Sequence, residues 1–180
     1  MLEQRIVEEK PSRAPIIDID ILQDYEEWQI KLPEYNELIE KVTNTTLLEL
    51  DLGTYVTNVE LSVTLANNKY ITEINHKFRN KNRPTNVLSF PSEDINPEDF
   101  YSILTYNGYI MIGDIVFALE IIQDEAEEQD KLFKDHFIHL LVHGILHLLG
   151  YDHEEDEERT RMEELEIRIL SKYNIKNPYE

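Results

Sequence analysis

The sequence has no cysteine and no run of about 18 uncharged apolar residues, the length that a membrane span requires. The absence of cysteine excludes disulfide bonds and thiolate metal ligands, and it fits a reducing compartment. Residues 1–15, MLEQRIVEEKPSRAP, contain no apolar core and do not predict a signal peptide. We therefore expect a cytoplasmic protein that does not cross a membrane.

Positive charge is also scarce, with 17 Lys and Arg against 37 Asp and Glu and a formal net charge of −20. This balance opposes binding to long nucleic acids, because phosphate affinity comes largely from Lys and Arg. The charges are segregated, however. Residues 124–130 and 154–166 are strongly acidic, whereas one short stretch without any acid holds Lys77, Arg79, Lys81 and Arg83. By itself, this basic stretch favours a solvated loop over a phosphate-binding one.

The length of 180 residues suits one domain with a sizeable core. Residues 1–15 are charged and end in a proline, which predicts a mobile tail, so the domain is expected to span residues 16–180. Pro91 to Asn107 is acidic and contains Pro97, which predicts an exposed loop. Trp28 is interpreted as a core residue.

Alternating and helical apolar patterns predict a single α+β domain of four strands and about five helices. The predicted strands are 16–22, 59–65, 87–90 and 109–117. The predicted helices are 33–50, 67–78, 118–130, a buried histidine-rich helix that includes Leu132 and ends near Gly150, and 155–171.

The histidine-rich stretch, KLFKDHFIHLLVHGILHLLGYDH from Lys131 to His153, has a spacing that folding alone does not explain. Residues four apart lie on the same helix face, so His143 and His147 can direct their rings at one point. Gly150 is suited to end the helix in a left-handed turn, which brings His153 to the same point. Three neutral nitrogens around a divalent metal leave a position for water, as in catalytic zinc sites. A first-row divalent metal is therefore predicted, and zinc, nickel, iron and manganese all accept imidazole ligands.

The alternative for these histidines is a hydrogen-bonded role in the core, because the helix is otherwise apolar on nearly every side. Each unpaired polar group there would cost roughly 1–3 kcal/mol, whereas one metal satisfies three histidines together. His139 lies eight residues before His147, about 12 Å along the axis, so the two cannot share an ion. His139 and His136 are therefore expected beside the ligands, in the core or at the surface.

Three motifs resemble the YbeY family of bacterial endoribonucleases, also called rRNA maturation factors. HGILHLLGYDH is similar to the zinc motif of that family. NHKFRNKNRPTNVLSFP, from Asn75 to Pro91, is similar to its arginine followed by a P-T-[DN]-V-L-S-F-P block, and Gly113-Asp114-Ile115 is similar to its G-D-I strand. The resemblance implies a small mixed sheet packed with helices, with a metal-binding helix like that of zinc metalloproteases.

The resemblance also implies an activity: single-strand-specific, metal-dependent cleavage of rRNA precursors, in maturation of the small-subunit rRNA 3′ end and in ribosome quality control. It implies one Zn²⁺ per chain, held by His143, His147 and His153. Arg79 matches the arginine regarded as catalytic, and a guanidinium can bind two phosphate oxygens at once. A surface salt bridge is the alternative for Arg79. The implied partners are the small ribosomal subunit, one of its ribosomal proteins and an assembly GTPase.

Other roles stay open. Gly144 occupies the place of the general base in the H-E-x-x-H pattern of metalloproteases, so a base would have to come from Asp152 or Glu154. Asp152 is interpreted as a residue that orients a ligand or forms a turn. Lys77, Lys81 and Arg83 are predicted to face RNA, and Thr85, Asn86 and Ser89 either bind phosphate or stabilise a turn. The competing functions are a zinc hydrolase of peptides or small molecules and a non-catalytic ribosome-assembly module with a structural metal.

Overall fold

A computed structural model describes residues 13–103 and 108–180 of the chain. The strands are β1 Ile16–Gln23, β2 Asn58–Ala66, β3 Val87–Pro91 and β4 Tyr109–Ala118. The helices of the described residues are α1 Glu27–Lys31, α2 Tyr35–Glu49, α3 Asn68–Arg79, α4 Leu119–Glu128, α5 Phe133–Leu148 and α6 Asp156–Ser171. The predicted strands and helices are confirmed to within about two residues at their ends. The exception is α1, a single short turn that the apolar pattern does not reveal.

The strands form one mixed sheet in the order β1-β2-β4-β3. β1, β2 and β4 are parallel, and β3 runs antiparallel at the edge of the sheet. Successive residues of β4 point to opposite faces, so Phe117 packs against the α5 side while Val116 packs with Ile71 of α3 on the other. The arrangement is the single α+β domain that the sequence predicts.

The main core joins α5 to the sheet through aromatic contacts. The ring of Phe137 on α5 lies 5.0 Å from that of Phe117 and 5.3 Å from that of Trp28. Trp28 is fully buried, and its indole N–H donates to the backbone oxygen of Ala66 at 2.9 Å. Its predicted place in the core is confirmed, and α5 is anchored firmly enough to present side chains at a fixed position.

β4 contains a bulge beside a close contact with β3. The pairing of β2 with β4 shifts between Glu60 and Leu61, which leaves an extra residue on β4 just before Gly113. Gly113 has φ +141°, and a Cβ atom there would lie 2.2 Å from the backbone oxygen of Phe90 on β3. Only glycine fits this position, which gives the G-D-I stretch a structural reason.

Two predictions about burial need correction. The segment from Pro91 to Asn107 is exposed at most of its described residues, as predicted, but three of its apolar side chains pack into the core (Ile95, Phe100 and Ile103); residues 104–107 lie outside the described range. Leu132 is 71% exposed, because α5 begins after it at Phe133. The predicted tail also lies mostly outside the described residues. Within the described residues, every helix is too short or too polar to cross a membrane.

Candidate metal centre and its cleft

The end of α5 determines where the third histidine lies. The Tyr151 N–H donates to the Leu146 oxygen at 3.0 Å, and the Gly150 N–H donates to the His147 oxygen at 3.1 Å. With Gly150 at φ +86°, these two bonds form a Schellman motif, which reverses the chain at the helix end. The reversal returns His153 to the side chains of the helix.

His143, His147 and His153 converge as the spacing predicts. The Nε2 atoms of His143 and His147 lie 3.1 Å apart, and the His153 ring centroid lies 5.6 Å and 5.0 Å from those of His143 and His147. One nitrogen from each of the three falls within 4.8 Å of the others. Nitrogen ligands about 2.0–2.1 Å from a tetrahedral zinc would be about 3.4 Å apart, so this group could hold such an ion.

The protonation of the group also suits a cation. Burial, followed by the proximity of His143 and His153, lowers the pKa of His147 to about 4. His147 is therefore neutral near pH 7. The Nδ1 of His143 lies 2.7 Å from a carboxylate oxygen of Glu166, which favours the tautomer with its proton on Nδ1. The lone pair of His143 Nε2 then faces His147, an arrangement that a bound cation stabilises.

The sequence analysis missed Glu166, which contacts His143, and Tyr179, which contacts Glu166. Glu166 is fully buried, and its second oxygen accepts the Tyr179 hydroxyl and lies 3.6 Å from His139 Nε2. Burial raises the pKa of Glu166, but the hydrogen bonds with His139 and His143 outweigh it, and the pKa falls below its ordinary value. The available sequence signal for Glu166 was the presence of an acidic residue in the apolar stripe of α6, between Leu165 and Ile169. The sequence around Tyr179 contained no comparable signal.

Asp152 and His139, the two predicted accessory residues, lie next to the group without joining it. Asp152 Oδ1 accepts the backbone N–H of His153 at 2.7 Å, so its carboxylate forms the turn that carries His153. Arg159 donates to the backbone oxygen of His153 at 3.3 Å. His139 lies 3.6 Å from the Glu166 carboxylate, and its ring centroid lies 6.4 Å from that of His143. His136 is nearly buried and pairs with Glu125 on α4 at 2.7 Å.

Arg79 lies on the same cleft as the three histidines. This cleft of about 680 Å³ extends from Arg79 and Lys81, along β3, to His143, His147 and His153. Arg79 is the last residue of α3, and its exposed guanidinium donates to the Ser89 oxygen at 3.3 Å and lies 5.9 Å from the Phe90 ring centroid. Across the described parts of the chain no carboxylate pairs with Arg79, which argues against the salt-bridge alternative.

The other basic residues of this loop differ in position. Lys81 lines the cleft, whereas Lys77 and Arg83 are exposed outside its lining, with the Lys77 ammonium 5.0 Å from the Phe78 ring centroid. Asn75 of α3 stabilises the loop, because its buried amide donates a hydrogen bond to the Arg83 backbone oxygen at 2.7 Å. The Asn86 amide donates to Glu125 at about 3.0 Å and its oxygen accepts the Val87 N–H, so Asn86 stabilises the start of β3.

Gly144 lies where α5 packs against the sheet. A Cβ atom there would lie 3.0 Å from the Ile115 Cδ1 atom and 3.2 Å from the Ser89 hydroxyl. A side chain at this position would require the Ile115 and Ser89 side chains to shift by a few tenths of an ångström. The residue that provides the general base in a metalloprotease is therefore replaced here by a glycine that packs against the sheet.

Comparisons with known proteins show which proteins the chain resembles in sequence and in fold. Residues 20–174 match the family model described as Endoribonuclease YbeY. The chain is 48% identical over 164 residues to Endoribonuclease YbeY of Bartonella bacilliformis, covering 91% of this chain and 98% of that protein. Its fold is similar to the solution structure of a Thermotoga maritima protein, with a TM-score of 0.54 and 25% sequence identity. That match covers 87% of this chain and 92% of the other.

Proposed function

The chain belongs to the YbeY family of endoribonucleases, and from this premise we propose that it cleaves single-stranded rRNA precursors with a zinc ion held by His143, His147 and His153. It is an enzyme, a hydrolase of RNA phosphodiester bonds. The proposal rests on one observation above all: Arg79 and the three histidines line a single cleft. Within that activity, we assign the enzyme to maturation of the small-subunit rRNA 3′ end and to ribosome quality control.

The residues of the cleft divide the chemistry between them. A metal bound by three histidines lowers the pKa of its water toward about 7 and polarises a phosphoryl oxygen. Arg79 provides positive charge where the transition state gathers negative charge, because a guanidinium stays protonated and presents several N–H donors in a fixed plane. The hydrogen bond to the Ser89 oxygen and the contact with the Phe90 ring orient that plane.

The surface beside Arg79 is suited to bind single-stranded RNA. The Phe78 side chain is 58% exposed, and its ring centroid lies 5.4 Å from that of Phe90. Exposed aromatic rings next to cations bind single-stranded RNA by stacking on its bases, which are inaccessible within a duplex. This pair of rings therefore supports single-strand specificity, with Lys81 available to contact the backbone phosphates.

The strongly acidic remainder of the protein bears on its partners. With a net charge of −20, the isolated chain should bind long RNA weakly at physiological salt. We expect recruitment to the precursor by a basic protein of the small ribosomal subunit, together with an assembly GTPase. Tight and accurate cleavage of naked precursor at physiological salt would contradict this expectation.

The test is cleavage of a defined rRNA precursor by wild type, Arg79→Ala, His147→Ala and the control Arg168→Ala, each checked for folding by circular dichroism. Arg168 pairs with Glu49, away from the cleft, so its loss should leave activity intact. If Arg79→Ala and His147→Ala lose cleavage and Arg168→Ala keeps it, the result supports one active site that contains both Arg79 and His147. A 2′,3′-cyclic phosphate at the new end would identify the RNA 2′-hydroxyl as nucleophile. Undiminished cleavage by both variants would refute the proposal.

A further inference from the structure

Glu166 is a buried carboxylate that the proposed chemistry does not use. It lies on the inner face of α6 between Leu165 and Ile169, which are also buried, and its side chain is fully inaccessible to solvent. Within the described residues no lysine or arginine pairs with it. Its contacts are His143, His139 and Tyr179.

Burying a carboxylate is costly unless hydrogen bonds compensate for lost hydration, and an apolar residue would complete the stripe of α6 without that cost. The position of Glu166 therefore calls for a role other than packing. Its Oε1 atom accepts from His143 Nδ1 at 2.7 Å. This bond fixes the ring rotation and the tautomer of His143, so that the Nε2 lone pair points toward His147.

The other two histidines are held differently. The His147 ring lies against the rings of His143 and His153, and His153 is held through its own backbone by Asp152 and Arg159. In the described parts of the chain, His143 is thus the member of the group whose ring is oriented by an ionised side chain. A carboxylate behind a histidine also increases the basicity of the ligand, which strengthens metal binding.

Tyr179 completes the arrangement from beyond the end of α6. Its hydroxyl donates to Glu166 Oε2 and lies 3.4 Å from His139 Nε2. Its ring packs edge-on against His139, with centroids 5.8 Å apart. Tyr179 thereby occupies the oxygen of Glu166 that His143 does not use, which limits rotation of the carboxylate.

We propose that Glu166 is a positioning residue that orients His143 toward the metal, and that Tyr179 holds Glu166 in place. This inference rests on the proposed metal site. It assigns to α6 and the segment beyond it a part in metal affinity, separate from the Arg79 side of the cleft. His139 then acts as a further contact of Glu166 and is neither a ligand nor a general base.

The test measures zinc affinity by competition with a chelator for wild type, Glu166→Gln, Tyr179→Phe and the control Glu164→Gln. Glu164 is exposed on the same helix, so its substitution removes the same charge away from the site. Glu166→Gln should weaken zinc binding about 10–100-fold, the usual effect of losing such a partner. Tyr179→Phe should weaken it less, and Glu164→Gln should leave it unchanged. The visible spectrum of the cobalt-substituted protein reports ligand geometry and should change in Glu166→Gln.

A purely structural role predicts a different result. In that case Glu166→Gln would lower the melting temperature of the metal-free protein while zinc affinity and the cobalt spectrum stayed as in wild type, which would overturn the inference. If Glu166→Gln does not fold, Tyr179→Phe becomes the deciding variant, and unchanged zinc affinity and an unchanged cobalt spectrum in it overturn the inference. His147→Ala distinguishes failure of the proposed metal site from failure of the role of Glu166. Equal zinc binding by that variant and by wild type would refute the metal site itself.

Discussion

Gly150 packs so closely against the backbone of Ile95 that a Cβ atom on residue 150 would lie 1.9 Å from the Ile95 carbonyl oxygen. The contact joins the segment after β3 to the turn that follows α5. It therefore couples the position of His153 to a part of the chain more than fifty residues away.

Gly150→Ala should lower the free energy of unfolding and weaken zinc binding. The left-handed conformation at φ +86° alone costs about 1–3 kcal/mol for a residue with a side chain, and the contact with Ile95 adds to that cost. Urea denaturation and chelator competition measure the two effects. Asn174→Ala is the control, because Asn174 also has positive φ, at 58°, but is exposed. Equal losses in both variants would argue against the importance of the Ile95 contact.

Gly144→Glu restores the H-E-x-x-H pattern but should not create a peptidase. The new side chain would crowd Ile115 and Ser89, and overpacking of this kind typically costs about 1–3 kcal/mol. We expect a lower melting temperature and weaker RNA cleavage. Gly144→Ala should show the same stability change to a smaller extent. Peptide hydrolysis by a stably folded Gly144→Glu variant would contradict this prediction.

Arg79→Lys should lose most of the activity although it keeps the positive charge. A lysine cannot reproduce the planar, two-point contact with phosphate or the packing on Phe90. We expect kcat to fall by about 10²-fold or more in Arg79→Ala, as for other donors to a transition-state charge, and by less in Arg79→Lys. Steady-state kinetics on a short single-stranded RNA measures this. A raised KM with unchanged kcat would instead assign Arg79 to substrate binding alone.

Glu125 should make stability depend on pH in the acidic range. Burial raises its pKa, but hydrogen bonds from His136 and Asn86 outweigh this and lower the pKa below the ordinary 4.5. Because the folded-state pKa is the lower one, Glu125 stabilises the fold fully above the unfolded-state pKa, and this stabilisation is lost as the pH falls through the folded-state pKa. Glu125→Gln should therefore lose less stability than wild type on acidification from about pH 5. Urea titrations across this range, with the exposed Glu128→Gln as control, measure the difference. Identical pH slopes in Glu125→Gln and wild type would count against it.

Much of the fold was predictable because the relevant signals are local. The alternation in VELSVTL and the helical spacing of α6 each reflect which face of one element is buried. Elements below about two turns escape this reasoning, as α1 did. The burial of the segment after β3 was misjudged because its acidic residues indicated exposure. Three of its apolar side chains, those of Ile95, Phe100 and Ile103, are nevertheless buried in the core.

By itself, the sequence determined the grouping of His143, His147 and His153, because helix periodicity and the left-handed preference of Gly150 act over a single turn of chain. Only the tertiary structure decided which residues surround that group. Arg79 reaches the cleft through the packing of α3 and β3 onto the sheet, and Glu166 and Tyr179 reach His143 from α6 and beyond. Contacts between segments so far apart depend on how layers pack, and no local spacing encodes that packing.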